Sequence, residues 1–94
     1  MSDLCGAIGG RRVVRFAYGG GLRTVEPHAH GWSKAGDELL RGYQTFGFSD
    51  SGGDGWRTFR VERVAGLRVS DEPFEPRADF RADQPGFSRL HCSV

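Results

Sequence analysis

Lysine is almost missing from this chain. Of its 13 basic residues only Lys34 is a lysine, and the others are arginines. Arginine carries a planar fork that suits phosphates, carboxylates and base edges, where lysine offers a point charge. A general preference for arginine codons would give the same composition, so both explanations stand at this point. A net charge of one sign is also lacking. The formal balance is +1 over 94 residues, which excludes a protein that coats nucleic acid by bulk electrostatics. The charge is uneven, however. Residues 1–68 hold ten Lys/Arg against seven Asp/Glu, a balance of +3, and residues 69–94 hold three against five, a balance of −2. Cysteine is scarce. Cys5 and Cys92 stand one near each end and form no metal-spaced cluster. A bridge between them requires the two ends to meet. With no basic start followed by an apolar run, reduced thiols and a cytoplasmic protein are the expectation. No apolar stretch approaches the roughly 20 residues that span a bilayer, so no membrane partner is expected.

What is present is glycine and aromatic side chains. Fifteen glycines in so short a chain imply many tight turns. Seven Phe, two Trp and two Tyr are enough for one core, and a domain of this size buries only about 60–65% of its unfolded surface. A single domain over residues 1–94 is expected. Ser2 to Ile8 reads as two turns of helix, with Leu4 and Ile8 on one face and Gly9-Gly10 as the stop. Arg11 to Tyr18 reads as a strand, Gly19-Gly20-Gly21 as a turn and Leu22 to Pro27 as the returning strand. Pro27 lacks a donor and marks a strand end or an edge. His28 to Ser33 is a further extended piece, and Glu38 to Phe46 the next strand. Phe48 to Gly55 has the composition of a flexible loop. In Trp56 to Val61, alternation sends Arg57, Phe59 and Val61 one way and Trp56, Thr58 and Arg60 the other. Arg63 to Ser70 follows. From Asp71 onward, Pro73, Pro76 and Pro85 make regular structure unexpected, while Phe74, Phe80, Phe87 and Leu90 suggest a tail that wraps the domain. The fold class is mostly β: a small five-stranded barrel with a short N-terminal helix, a core over about 11–70 and an irregular wrapping tail over 71–94. Closure would remove exposed strand edges.

The run Arg12-Val-Val-Arg-Phe-Ala-Tyr18, followed by Arg23-Thr-Val-Glu-Pro27, resembles the opening of WYL domains. Trp56-Arg-Thr-Phe-Arg-Val-Glu-Arg-Val64 is similar to the family's Arg-x-Phe-x-hydrophobic-x-Arg-hydrophobic element, and Asp71-Glu-Pro-Phe74 to its close. The resemblance spans roughly residues 8–80. The Trp-Tyr-Leu tripeptide that names the family falls on Glu38-Leu39-Leu40, where only a leucine remains; Tyr43 matches the later aromatic of that strand. The resemblance implies an Sm-like or SH3-like barrel. In bacterial transcription regulators such domains act as ligand-sensing or nucleic-acid-sensing modules, often through a basic groove. Here it implies a stand-alone module.

Candidate ligand-binding residues follow. Arg57 and Arg63 match the family's element, with Arg60 between them; alternation separates Arg57 from Arg60 unless the strand bends. Their alternative is a surface salt-bridge ladder with Glu62 or Glu26, worth under about 1 kcal/mol per pair. Tyr43, with Tyr18, Trp32 and Trp56, supplies stacking faces or core packing. His28 and His30 share a face if the strand is regular, and they suit hydrogen bonding beside the groove. A third metal ligand is absent nearby in sequence, so no metal and no cofactor are expected. His91 and Cys92 are adjacent and rarely aim at each other, and no constellation supports an enzyme. The expectation is a binding module for nucleic acid or a nucleotide-like anion. The alternative is an interaction module that forms a homo-oligomer or engages a regulatory protein.

Overall fold

A computed structural model describes residues 2–47, 55–81 and 86–94. Helix α1 spans Ser2–Gly9, and the strands are β1 (Arg12–Tyr18), β2 (Gly21–Trp32), β3 (Glu38–Gly47), β4 (Gly55–Arg60), β5 (Ala65–Pro73) and β6 (Arg89–Ser93). A 3-10 turn over Val61–Arg63 joins β4 to β5. All pairings are antiparallel. The order is β4-β3-β2-β1-β5, with β6 added on β2. Among the described residues the ladder is open: β4 and β5 end it and do not pair with each other.

The described residues are mostly β with one short helix, as the composition suggests, but two expectations need correction. The described residues form six strands, not five, because the tail is not irregular throughout. Residues Arg89–Ser93 form β6, and β5 continues to Pro73, past the expected end of the core at residue 70. The β2 backbone offers β6 a row of unpaired groups, and that gain outweighs the weak local propensity of the tail. Secondly, β2 is one strand of 12 residues that runs through Pro27. The proline is tolerated because the register with β3 shifts between Pro27 and Ala29, and a bulge needs no donor there. The expected loop at 48–55 lies outside the described residues, apart from Gly55, which opens β4.

Local chemistry explains the remaining elements. Leu4, Ala7 and Ile8 are buried and lie three and four apart, so α1 presents one apolar face to the sheet. Gly19 and Gly20 have φ of +60° and +88°, the pair of positive values that a two-residue hairpin turn demands. The core is Leu4, Ala7, Ile8, Val14, Phe16, Val25, Leu40, Phe59 and Val61. Phe59 stands edge-on to Phe16 at 5.0 Å and to Tyr18 at 4.9 Å. The Tyr18 hydroxyl accepts from the Arg60 amide at 3.0 Å, so side chains tie the end of β4 back to β1. Arg23 is buried too. It lies over the Tyr18 and Phe59 rings and donates to Gln44 Oε1 at 3.3 Å.

Cys5 and Cys92 are joined in a disulfide, with Cα atoms 5.8 Å apart. The expectation of reduced thiols is overturned: pairing of β6 with β2 brings the tail beneath α1, so the chain ends meet. Among the described residues, no helix is long and apolar enough to cross a membrane.

Candidate ligand-binding face

Register places the sequence-predicted residues. Leu40 pairs with Phe59 on the core side of β3 and β4. The opposite face therefore carries the pairs Tyr43–Trp56, Arg41–Thr58 and Leu39–Arg60. Tyr43 and Trp56 meet edge to face at 5.5 Å. The Arg41 guanidinium lies over the Trp56 ring at 5.3 Å and donates to Thr58 Oγ1 at 3.0 Å. Among the described residues Arg41 has no carboxylate partner, and partial burial pushes its pKa below the usual arginine value. The group remains a cation at any physiological pH. Arg60 is held loosely, 3.5 Å from Asp37 and 3.7 Å from Glu62.

The tail borders this face. Arg77 stacks on the Tyr43 ring at 3.5 Å from its centroid, and its Nε donates to Glu26 Oε1 at 2.7 Å. Trp56 Nε1 donates to Asp79 Oδ2 at 3.0 Å, and Phe80 packs on Trp56. Segment 74–80 is therefore a strap along one border of the aromatic pair.

Of the predicted residues, Tyr43 and Arg60 belong to this face. Arg57 does not: alternation puts it on the Phe59 side of β4, where its Nη1 donates to the Trp56 carbonyl at 3.1 Å. Arg63 stands exposed on the 3-10 turn, outside the strand that was expected to carry it. His28 is buried beneath the strap, against Trp56, Phe74 and Phe80 at 4.8–5.3 Å. Burial is the main cause of its lowered pKa; the Arg77 charge adds to it, and the Glu26 carbonyl and the charges of Glu26 and Asp79 oppose it. His30 meets other neighbours: Trp32, His91, Glu38 and the two cysteines. The bulge between Pro27 and Ala29 interrupts the alternation that would have set the two histidines side by side.

Arg41 and Arg77 escaped the sequence reading. Arg41 carried a signal, since it stands two residues from Tyr43 on a strand and shares its face. Arg77 carried none, because its position depends on where the strap docks. Compared with known proteins, the chain matches no family model, no curated protein and no solved structure.

Proposed function

We propose that this chain is a binding module for single-stranded nucleic acid or a nucleotide-like anion, held on the outer face of β3 and β4. The reading rests on Arg41, a cation with no carboxylate partner among the described residues, fixed over Trp56 and beside Thr58, with Tyr43 and Arg60 on the same face. Bases stack on aromatic rings for about 1–3 kcal/mol each. Guanidinium groups meet the phosphates between them. The antiparallel order and short helix are compatible with the WYL resemblance and its Sm-like barrel, and a sensing role follows from that resemblance. Arg57 and Arg63 have no part in this version of the surface.

Fluorescence anisotropy with labelled single-stranded oligonucleotides tests the reading. Binding should weaken as salt rises, and Arg41→Ala should lower affinity at least several-fold and flatten the salt dependence, because one phosphate contact is lost. Trp56→Ala should cost about 1–3 kcal/mol of binding. Absence of salt-dependent binding at low ionic strength removes the proposal.

A second reading, an interaction module, has its own support. Leu22 and Phe46 are 74% and 76% exposed, and Leu22 borders a cleft of about 520 Å3 that Arg15, Ala17, Ala65 and Arg68 also line. Light scattering that gives a dimer or ring, with no oligonucleotide bound, favours this second reading.

A further inference from the structure

The cluster around His30 is separate from the proposed binding face and brings together two cysteines and a histidine. The His30 side chain is only 2% exposed. Nε2 lies 2.6 Å from Glu38 Oε2. In the neutral ring, a proton donated there leaves Nδ1 as a lone pair. That nitrogen lies 3.9 Å from Cys5 Sγ and 3.9 Å from Cys92 Sγ. All three ligand atoms fall within 4.8 Å of one another. Each comes from a different element: Cys5 from α1, His30 from β2, and Cys92 from β6 directly opposite His30 in the ladder.

We propose that in the reduced protein Cys5, Cys92 and His30 bind a zinc ion, so that disulfide and metal are alternative states of one site. Zinc–sulfur bonds of about 2.3 Å and zinc–nitrogen bonds of about 2.0–2.1 Å give a tetrahedron with sulfur–nitrogen edges of about 3.6 Å and a sulfur–sulfur edge of about 3.8 Å. The observed sulfur–nitrogen distances are already near that edge. The Cα separation of 5.8 Å leaves room for the thiols to part by side-chain rotation. Glu38 supplies what a metal-bound histidine usually has, a carboxylate on its other nitrogen that fixes the ring and raises its basicity. Three protein ligands leave a fourth position for water, and Cys5 and Cys92 are both half-buried, so the site is reachable.

The chemistry balances with a dithiol as reductant. The dithiol gives two electrons and two protons to the sulfur–sulfur bond, leaves as its own disulfide, and yields two thiols on the protein. Zinc then replaces the two thiol protons, which pass to solvent.

Cobalt titration of the full chain tests this. The protein is reduced with dithiothreitol, separated from it by anaerobic gel filtration and compared with untreated oxidised protein. The reduced chain should take up one cobalt ion, with the intense visible bands of tetrahedral geometry and an ultraviolet thiolate-to-cobalt band. Zinc should displace the cobalt, and the oxidised chain should stay colourless. Glu38→Gln, checked for its fold by circular dichroism in the oxidised form, should bind about 10–100-fold more weakly. Only a pale octahedral spectrum from the reduced wild type, or an undiminished thiolate band in Cys5→Ser, would overturn the site. An unchanged affinity in Glu38→Gln would overturn the role given to that carboxylate.

Discussion

His28 has both ring nitrogens committed. Nδ1 is 2.8 Å from the Glu26 carbonyl, so it carries the proton and donates. Nε2 accepts from the Arg77 amide at 3.1 Å, so it carries a lone pair. A second proton at Nε2 would set two donors against each other and charge a ring enclosed by Trp56, Phe74 and Phe80. Desolvation accordingly holds the pKa below the ordinary 6.5. Between that lowered value and 6.5 the unfolded chain takes up a proton that the folded chain refuses, so stability rises with pH across the window and is lost on acidification. Urea midpoints should fall as the pH drops below 6.5, and the fall should be shallower in His28→Gln. Parallel profiles for the two proteins would show that another group controls acid sensitivity. The sequence displayed this histidine but not its partners. Only the bulge at Pro27 and the docking of Arg77 decide that it faces the strap and not His30.

Among the elements, β6 depends on a single small residue of β2. An added Cβ at Gly31 would lie 2.4 Å from the Arg89 carbonyl oxygen, 2.9 Å from Phe87 and 3.0 Å from the Leu90 Cα. Two of these obstacles are backbone, so the strand itself must move. Gly31→Ala should therefore detach β6 from β2 while leaving the β1–β2 hairpin paired. Amide hydrogen exchange should show lost protection at residues 89–93 and at Val94, whose amide donates to the His28 carbonyl. Unchanged protection there would mean that the β2–β6 ladder accommodates the added methyl group. Most of the sheet was legible because its signals are local: alternation around Phe59, and the paired glycines after Tyr18. The continuous β2 and the docked β6 were not. A bulge absorbs Pro27 only in the presence of β3, and β6 is a strand only because β2 has a free edge. The proposed binding face was half legible for the same reason. Strand spacing separates Tyr43 and Trp56 from the core, but cross-strand register is needed to set Arg41 on Trp56.

At the scale of the whole molecule, a small core must be held together although the ladder is open among the described residues. The disulfide joins residues 87 apart in sequence, nearly the full chain, and packs α1 and β6 against β2. Cross-linking so long a loop removes unfolded-chain entropy worth up to about 4–5 kcal/mol, with measured effects more often about 2–4. Against a total stability of roughly 5–15 kcal/mol for ordinary domains, that is a large share. Reduction should lower the urea midpoint steeply and steepen the slope of the transition, because the unlinked unfolded chain exposes more surface. Zinc added to the reduced protein should recover part of the loss, because a ligand that binds only the folded state stabilises it in proportion to the logarithm of its excess over Kd. The oxidised protein should show no such gain. If reduction leaves the midpoint unchanged, the chain ends are held by the β2–β6 ladder and the Leu4–Ile8 face of α1 alone, and the covalent link adds nothing to the fold.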